Sequence, residues 1–297
     1  MFGVGRGQPR GAARRPGLGG GLKGRLLIAL AIAAFALFTY YGNPGDTNQI
    51  TGQRERVAMP DEAQEMALGR QAMPQMVQQH GQAERGRDAA RVDAVGRELL
   101  AALEVWMAEK QPQLGPNVQL RNPYEFTFTL LSDNRTVNAF ALPGGPVFIT
   151  RALYDRLSTP GQLAGVIGHE IGHVVERHGN ERMAKQKLFS TLAMAGGAVG
   201  GDAQSVQMAQ MAAQMVQMKY GRDDELESDR WGVLLTEKAG YDPRAMVGVM
   251  EVLEASGPKG GPPEMMSTHP KPANRVAYIQ RVIQQVFPEG LRPGLTP

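Results

Sequence analysis

The sequence predicts a mainly helical α+β domain with a small sheet of three to four strands, held to a membrane by one N-terminal helix. Three observations carry that expectation. Segments with helical start and stop signals dominate residues 61–287. Residues 124–131, YEFTFTLL, alternate and are aromatic, and residues 136–142 and 146–150 follow as two further strands around Pro143-Gly144-Gly145-Pro146. Leu26 to Tyr41, LLIALAIAAFALFTYY, is a run without a single charge.

The chain has 297 residues, 42% of them hydrophobic, ample for a real core. Residues 1–25 are rich in Gly, Arg and Pro and read as a disordered basic tail. Six of the 32 basic groups lie there with no acid, leaving 26 basic against 29 acidic groups in the rest. The high pI therefore belongs to the tail, and the folded body offers no nucleic-acid surface. There is no cysteine, which excludes disulfides, thiolate metal sites and a cysteine nucleophile.

Residues 26–41 read as a transmembrane signal anchor, slightly short for a hydrocarbon core of about 30 Å. Lys23 and Arg25 can snorkel at one end, and Tyr40 and Tyr41 suit the interface at the other. The basic flank points inward, so the C-terminal body lies across an inner membrane, on its periplasmic or outer side. A cleaved signal peptide is the weaker reading, because no small-x-small site follows the apolar run. Residues 42–60, with Gly42, Pro44, Gly45, Gly52 and Pro60, read as a linker.

Asp61 is placed to cap a helix reaching about His80, and a second helix runs from about Asp88 to Lys110. Thr159-Pro160 is a cap followed by proline at the first helical position. The helix it starts is expected to end at Gly179. Further helices are expected at 180–195, 203–219, 222–239, 243–256 and 272–286, with a Gly/Pro-rich loop at 257–271 and a frayed tail over 288–297. The uncharged stretch Leu188–Gly201 is too short and glycine-rich for a second span, so a core hairpin or a flap near the site is expected. Met208, Met211, Met215 and Met218 form one helical stripe beside Gln207, Gln210, Gln214 and Gln217. An amphipathic helix with a methionine core face accounts for it, and an adaptable surface for unfolded chains or lipid is the sharper alternative.

The chemistry centres on His169-Glu170-Ile171-Gly172-His173. On a helix, His169 and His173 at i and i+4 share a face and can hold one metal ion. Glu170 can reach a water at that ion as its base. Position 179, where a metzincin would need a third histidine, is Gly179. His178 lies about 180° around the helix from His169 and is expected near the helix C-terminus, with Gly179 as cap. The third ligand then comes from Glu225-Leu226-Glu227-Ser228-Asp229. Glu225 and Asp229 share a face, so one can coordinate while the other hydrogen-bonds a ligand histidine. Glu227 is the competing ligand, and without the upstream motif the run would read as a solvated acidic face. His80 has no partner motif and reads as a surface residue.

Four stretches together resemble the gluzincin metallopeptidases of the HtpX, CAAX-prenyl-protease and BepA type. They are Asn138 to Gly145 (NAFALPGG), His169 to Gly179 (HEIGHVVERHG), Arg222 to Gly232 (RDDELESDRWG), and Ser267-Thr268-His269-Pro270 with Arg275. Ser228 stands where the family usually has alanine. The resemblance implies a zincin-like domain with one Zn2+ per chain on His169, His173 and Glu225, Glu170 as the base, and Asp229 supporting a ligand histidine. It implies that Asn138, Ala139, Phe140 and Ala141 form an edge strand that pairs with an extended substrate. His269 and Arg275 match a His-Pro…Arg element. They stand either as oxyanion donors or, for His269, as a plug at the open metal position. The resemblance and topology together point to unfolded or misassembled envelope proteins as substrates. The competing reading is a chaperone-like assembly factor with a self-inhibited site.

Overall fold

The computed structural model describes residues 22–200, 203–256, 269 and 274–297. Helix α1 (Leu22–Tyr41) leads into a short antiparallel pair, β1 (Asp46–Thr47) and β2 (Arg54–Glu55). Helices α2 (Glu62–His80) and α3 (Arg87–Lys110) follow. Strands β3 (Thr127–Leu131), β4 (Ala139–Ala141) and β5 (Pro146–Thr150) form one sheet in the order β3-β5-β4. Strand β3 is parallel to β5, and β4 is antiparallel to it. The remaining helices are α4 (Arg151–Tyr154), α5 (Pro160–Val175), α6 (His178–Gly200), α7 (Ala203–Lys238), α8 (Ala245–Ala255) and α9 (Arg275–Val286).

Local chemistry sets most of the starts. The Asp61 side chain accepts from the Ala63 N–H to open α2, and Thr159 accepts from the Gln162 N–H to open α5 with Pro160 as its first residue. Strand β5 is buried along its whole length, between β3 and β4. The core runs from α3 (Leu99, Leu103) through β5 (Ile149) to α5 (Ile167, Ile171) and α7 (Leu235), all at 0–1% exposure.

Glycines bring α5 and α7 together. A Cβ on Gly172 would lie 2.8 Å from the Trp231 Cβ and 3.0 Å from the Ser228 Cα, and one on Gly168 would lie 3.3 Å from the Gly232 Cα. The bare backbones can therefore approach closely, and the acidic residues of α7 meet the histidines of α5.

Several expectations are corrected. The helix carrying the histidines ends at Val175, four residues before Gly179. Arg177 takes a left-handed φ of 52° and breaks the chain direction, so His178 and Gly179 begin α6 instead of capping α5. Helices expected at 203–219 and 222–239 are one helix, α7, because Gly221 alone is a weak breaker. Leu188–Gly200 is neither a hairpin nor a flap but the second half of α6, packed along α1. The backbone at 208–218 is helical, but the side chains of that methionine stripe lie outside the described residues, as does most of the 257–271 loop.

Two segments read as loose are tied down. In the expected linker Ile50 is fully buried, Asn48 donates to the Val175 carbonyl at 2.7 Å, and the Asn180 side chain accepts from the Ala58 and Met59 N–H groups. In the expected frayed tail Thr296 bonds with Gly240 and Asp242, and the Gly161 N–H donates to the Pro297 carbonyl. Backbone groups at chain ends and turns need partners, and here distant segments supply them.

Candidate metal centre

Helix α5 presents His169 and His173 to one point, with Nε2 atoms 3.1 Å apart. Helix α7 brings Glu225 to the same point, 3.3 Å from His169 Nε2 and 3.4 Å from His173 Nε2. His269 closes the group, its Nδ1 lying 3.0 Å from Glu225 Oε1, 3.2 Å from His173 Nε2 and 3.5 Å from His169 Nε2. All four residues are buried. Four ligands about 2.0–2.1 Å from a tetrahedral ion would stand about 3.3 Å apart, so these nitrogens and the carboxylate are spaced as a tetrahedral metal requires. The donor set, three imidazoles and a carboxylate, suits a borderline-soft divalent ion.

Each histidine of α5 is backed by a second group. His169 Nδ1 lies 3.0 Å from Asp229 Oδ1, and Asp229 is gripped by Arg275 through Nε and Nη2, both at 2.7 Å. His173 Nδ1 lies 3.0 Å from His178 Nδ1, whose Nε2 is 3.2 Å from Glu227 Oε2. Such partners select which ring nitrogen keeps its proton and aim the other at the ion. The break at Arg177 makes the second relay possible. It swings His178 behind His173, where a continuous helix would have carried it away. Glu227 accordingly meets His178 and not the donor cluster.

The electrostatics favour a cation. Burial holds the His173 imidazole well below its ordinary value, so it is neutral and can ligate. Burial would raise the Glu225 carboxyl, but His269 and hydrogen bonds from His169, His173 and His269 hold it far below the usual carboxylate range. Burial lowers the His169 imidazole, yet Asp229 and Glu225 outweigh it and push it up to about 9. A metal would displace that proton from the face turned to the cluster.

A cleft of about 170 Å³ opens beside the donors, lined among others by Phe140, Ala141, Pro143, Glu170, His173 and His269. Glu170 is 1% exposed, and neither carboxylate oxygen has a hydrogen-bond partner among the described residues. His269 Nε2 lies 3.6 Å from Glu170 Oε1, too far for a hydrogen bond, and a buried carboxylate without hydrogen bonds is costly unless something else occupies the space before it. Strand β4 forms the cleft's rim at the free edge of the sheet. The Thr150 N–H donates to the Asn138 carbonyl and the Leu142 N–H to the Pro146 carbonyl, so 138, 140 and 142 face β5. The N–H and C=O groups of Ala139 and Ala141 therefore point to the open edge.

Arg275 does not line the cleft; its guanidinium lies on Asp229, 3.6 Å from Glu225. His80 is not a surface residue. It is buried, with Nδ1 3.3 Å from Asp133 Oδ2 and its ring 5.2 Å from that of Phe140, so it supports the edge strand from behind. A buried ion pair also braces the cleft. Arg177 Nε and Nη2 meet Glu65 at 2.9 and 2.7 Å, and Tyr124 donates to the same carboxylate at 3.0 Å. No signal in the sequence joins residues 65, 124 and 177, whereas His178 stood within the histidine motif and could have been weighed as a support.

Residues 102–283 match peptidase family M48. The chain is 32% identical over 180 residues to the beta-barrel assembly-enhancing protease of Escherichia coli strain K12, covering 57% of this chain and 36% of that protein. It is 34% identical over 148 residues to the mitochondrial metalloendopeptidase OMA1 of Arabidopsis thaliana, covering 49% and 29%. To the human mitochondrial metalloendopeptidase OMA1 it is 32% identical over 167 residues, covering 52% and 32%. The chain thus spans about a third of the length of these relatives. The family match embraces more than half of the chain and contains all four donors, the relays and β4, and the protein therefore belongs to peptidase family M48.

Proposed function

We propose that this chain is a zinc-dependent endopeptidase, held to an inner membrane by α1 with its body on the outer side, that cuts unfolded or misassembled envelope proteins. The observation that carries the reading is the buried Glu170 carboxylate, which has no hydrogen-bond partner among the described residues and is set between a four-donor cluster and the open edge of β4. His169, His173 and Glu225 would hold the zinc. When bound, zinc polarises a scissile carbonyl and acidifies the attacking water. Glu170 takes the proton from that water and passes it to the leaving amine. Ala139 and Ala141 offer backbone donors and acceptors to an extended chain, which positions an amide with little demand on its side chains. That indifference to side chains suits unfolded substrates. Asp229 and Arg275 act as positioning residues through His169.

The anchor reading rests on Lys23–Tyr41, which is long and apolar enough to cross a membrane and carries Lys23 and Arg25 at its N-terminal end. The family names of the relatives, a protease and two metalloendopeptidases, support the activity.

The placement of His269 favours a second reading, in which the peptidase is self-inhibited and the chain serves as an assembly factor. Its Nδ1 stands where water and substrate would need to bind. The test is casein cleavage by the full chain in mild detergent, with metal content measured, for wild type and Glu170→Gln. Chelator-sensitive cleavage by wild type alone, with equal zinc in both, supports the peptidase. Cleavage by purified Glu170→Gln at the wild-type rate would overturn the assignment of the base.

A further inference from the structure

We propose that the second half of α6 is immersed in the same bilayer as α1, so that the membrane contact is a helix pair and the cleft opens at the membrane surface. The proposal rests on the reading of α1 as a membrane anchor and goes beyond it. Helices α1 and α6 pack against each other. The C-terminal end of α1 meets the first half of α6, where Phe35, Ala36, Thr39 and Tyr40 share a groove with Ala184, Lys187, Leu188 and Thr191. Farther along, Ala29 of α1 and Ala195 of α6 are both buried, so the helices run on side by side in opposite senses. Alanines make up most of the buried positions on the two helices (Ala29, Ala36, Ala184, Ala193 and Ala195), and small residues allow the close approach typical of helices in lipid.

The polarity of the two helices changes at the same level. On α1 the boundary is Tyr40 and Tyr41, with Arg56 stacked 5.8 and 5.5 Å from their rings. On α6 it is Lys187, in the same groove as Tyr40. Aromatic and basic side chains at one depth mark a membrane–water interface. Beyond Lys187 no charge occurs until Asp202, and that is the only one before Lys219. Leu188–Gly200, 13 residues, extends about 20 Å at 1.5 Å per residue, a large part of a core of about 30 Å. Helix α1 exposes Leu27, Leu30 and Phe38 at 57–75%, and α6 exposes Met194 at 62%. Exposed large apolar side chains on both helices suit acyl chains better than water.

The functional consequence concerns the cleft. Gly179 and Arg182, in the first two turns of α6, line it. They precede Lys187 by five to eight residues, or roughly 10 Å along the helix. The substrates best placed to reach β4 are segments that leave the bilayer close to the protein.

The absence of cysteine makes the test direct. Leu30→Cys and Met194→Cys each lie six residues from the shared Ala36/Leu188 level, and so at matching depth. Val105→Cys on the exposed face of α3 is the aqueous control. Each full-length variant is labelled with an NBD fluorophore and reconstituted in phosphatidylcholine/phosphatidylglycerol vesicles with and without doxyl-labelled lipid. The expected result is at least twofold quenching at both 30 and 194 and none at 105. Quenching at 30 with 194 behaving like 105 overturns the proposal and leaves the anchor intact. No quenching at 30 or 194 overturns the anchor reading and the immersion of α6 with it.

Discussion

Replacing Arg275 by methionine tests the relay behind His169 with a magnitude the structure sets. Arg275 is 4% exposed and Asp229 is 0% exposed, and two hydrogen bonds of 2.7 Å join them. Removing the guanidinium strands a carboxylate whose ionised form Arg275 and His169 had stabilised against burial. Loss of one partner from a buried pair costs about 3–5 kcal/mol, and the methionine stem recovers only part of the packing. For a domain of this size that corresponds to a fall in Tm of roughly 6–20 °C. Asp229→Leu alone strands the arginine and should cost about as much. The double variant removes both charges and should be much less destabilised than the sum of the single variants, with a coupling energy of at least about 2 kcal/mol. The assay is urea unfolding of the full chain in mild detergent with chelator present, so that metal binding does not enter the difference. A second readout is zinc affinity, which should fall about 10–100-fold in Arg275→Met as Asp229 loosens its hold on His169. A loss below about 1 kcal/mol, or single effects that simply add, would refute the argument that the pair acts as a unit.

Three further outcomes follow from the geometry. His269→Ala should raise casein cleavage severalfold, because His269 Nδ1 stands among the donors at the open position, as read from initial rates at equal zinc content; a fall in rate would instead assign the side chain to the reaction itself. Ala141→Pro deletes an outward N–H while leaving the β5 ladder intact, and should lower kcat/KM for peptides by about fivefold to tenfold with Tm little changed, as expected for one lost hydrogen bond at an edge strand. Burial pushes the Glu55 carboxyl up to about 9 and the Glu176 carboxyl up to about 7, so the folded chain retains protons that the unfolded chain releases above about 4.5. Stability should therefore fall as pH rises from about 4.5 to 7 through Glu176, and Glu176→Gln should flatten the decline by up to about 1.4 kcal/mol per pH unit in denaturant titrations.

What the sequence determined by itself was local. The i, i+4 spacing of His169 and His173 holds on any α-helix, and the caps Asp61 and Thr159-Pro160 open α2 and α5 where the residue types demand. The pairing of Glu225 with Asp229 on one helical face was legible for the same reason, and so were the paired strands around residues 143–146. Tertiary structure decided whatever depends on a distant partner. Arg177 occupies a left-handed conformation because Glu65, 112 residues away, and the Met59 carbonyl hold its side chain, and that single turn brings His178 behind His173. His80 is buried only because Asp133 and Phe140 come to it. Arg275 could be matched to a motif, but its grip on Asp229 appears only when α9 packs against α7. Residues 42–60 have the composition of a linker, yet Asn48 satisfies the last carbonyl of α5 and Ile50 enters the core. Composition and periodicity report how a segment folds against water, whereas a backbone group or charge that must find a partner across the chain finds it only in the assembled fold.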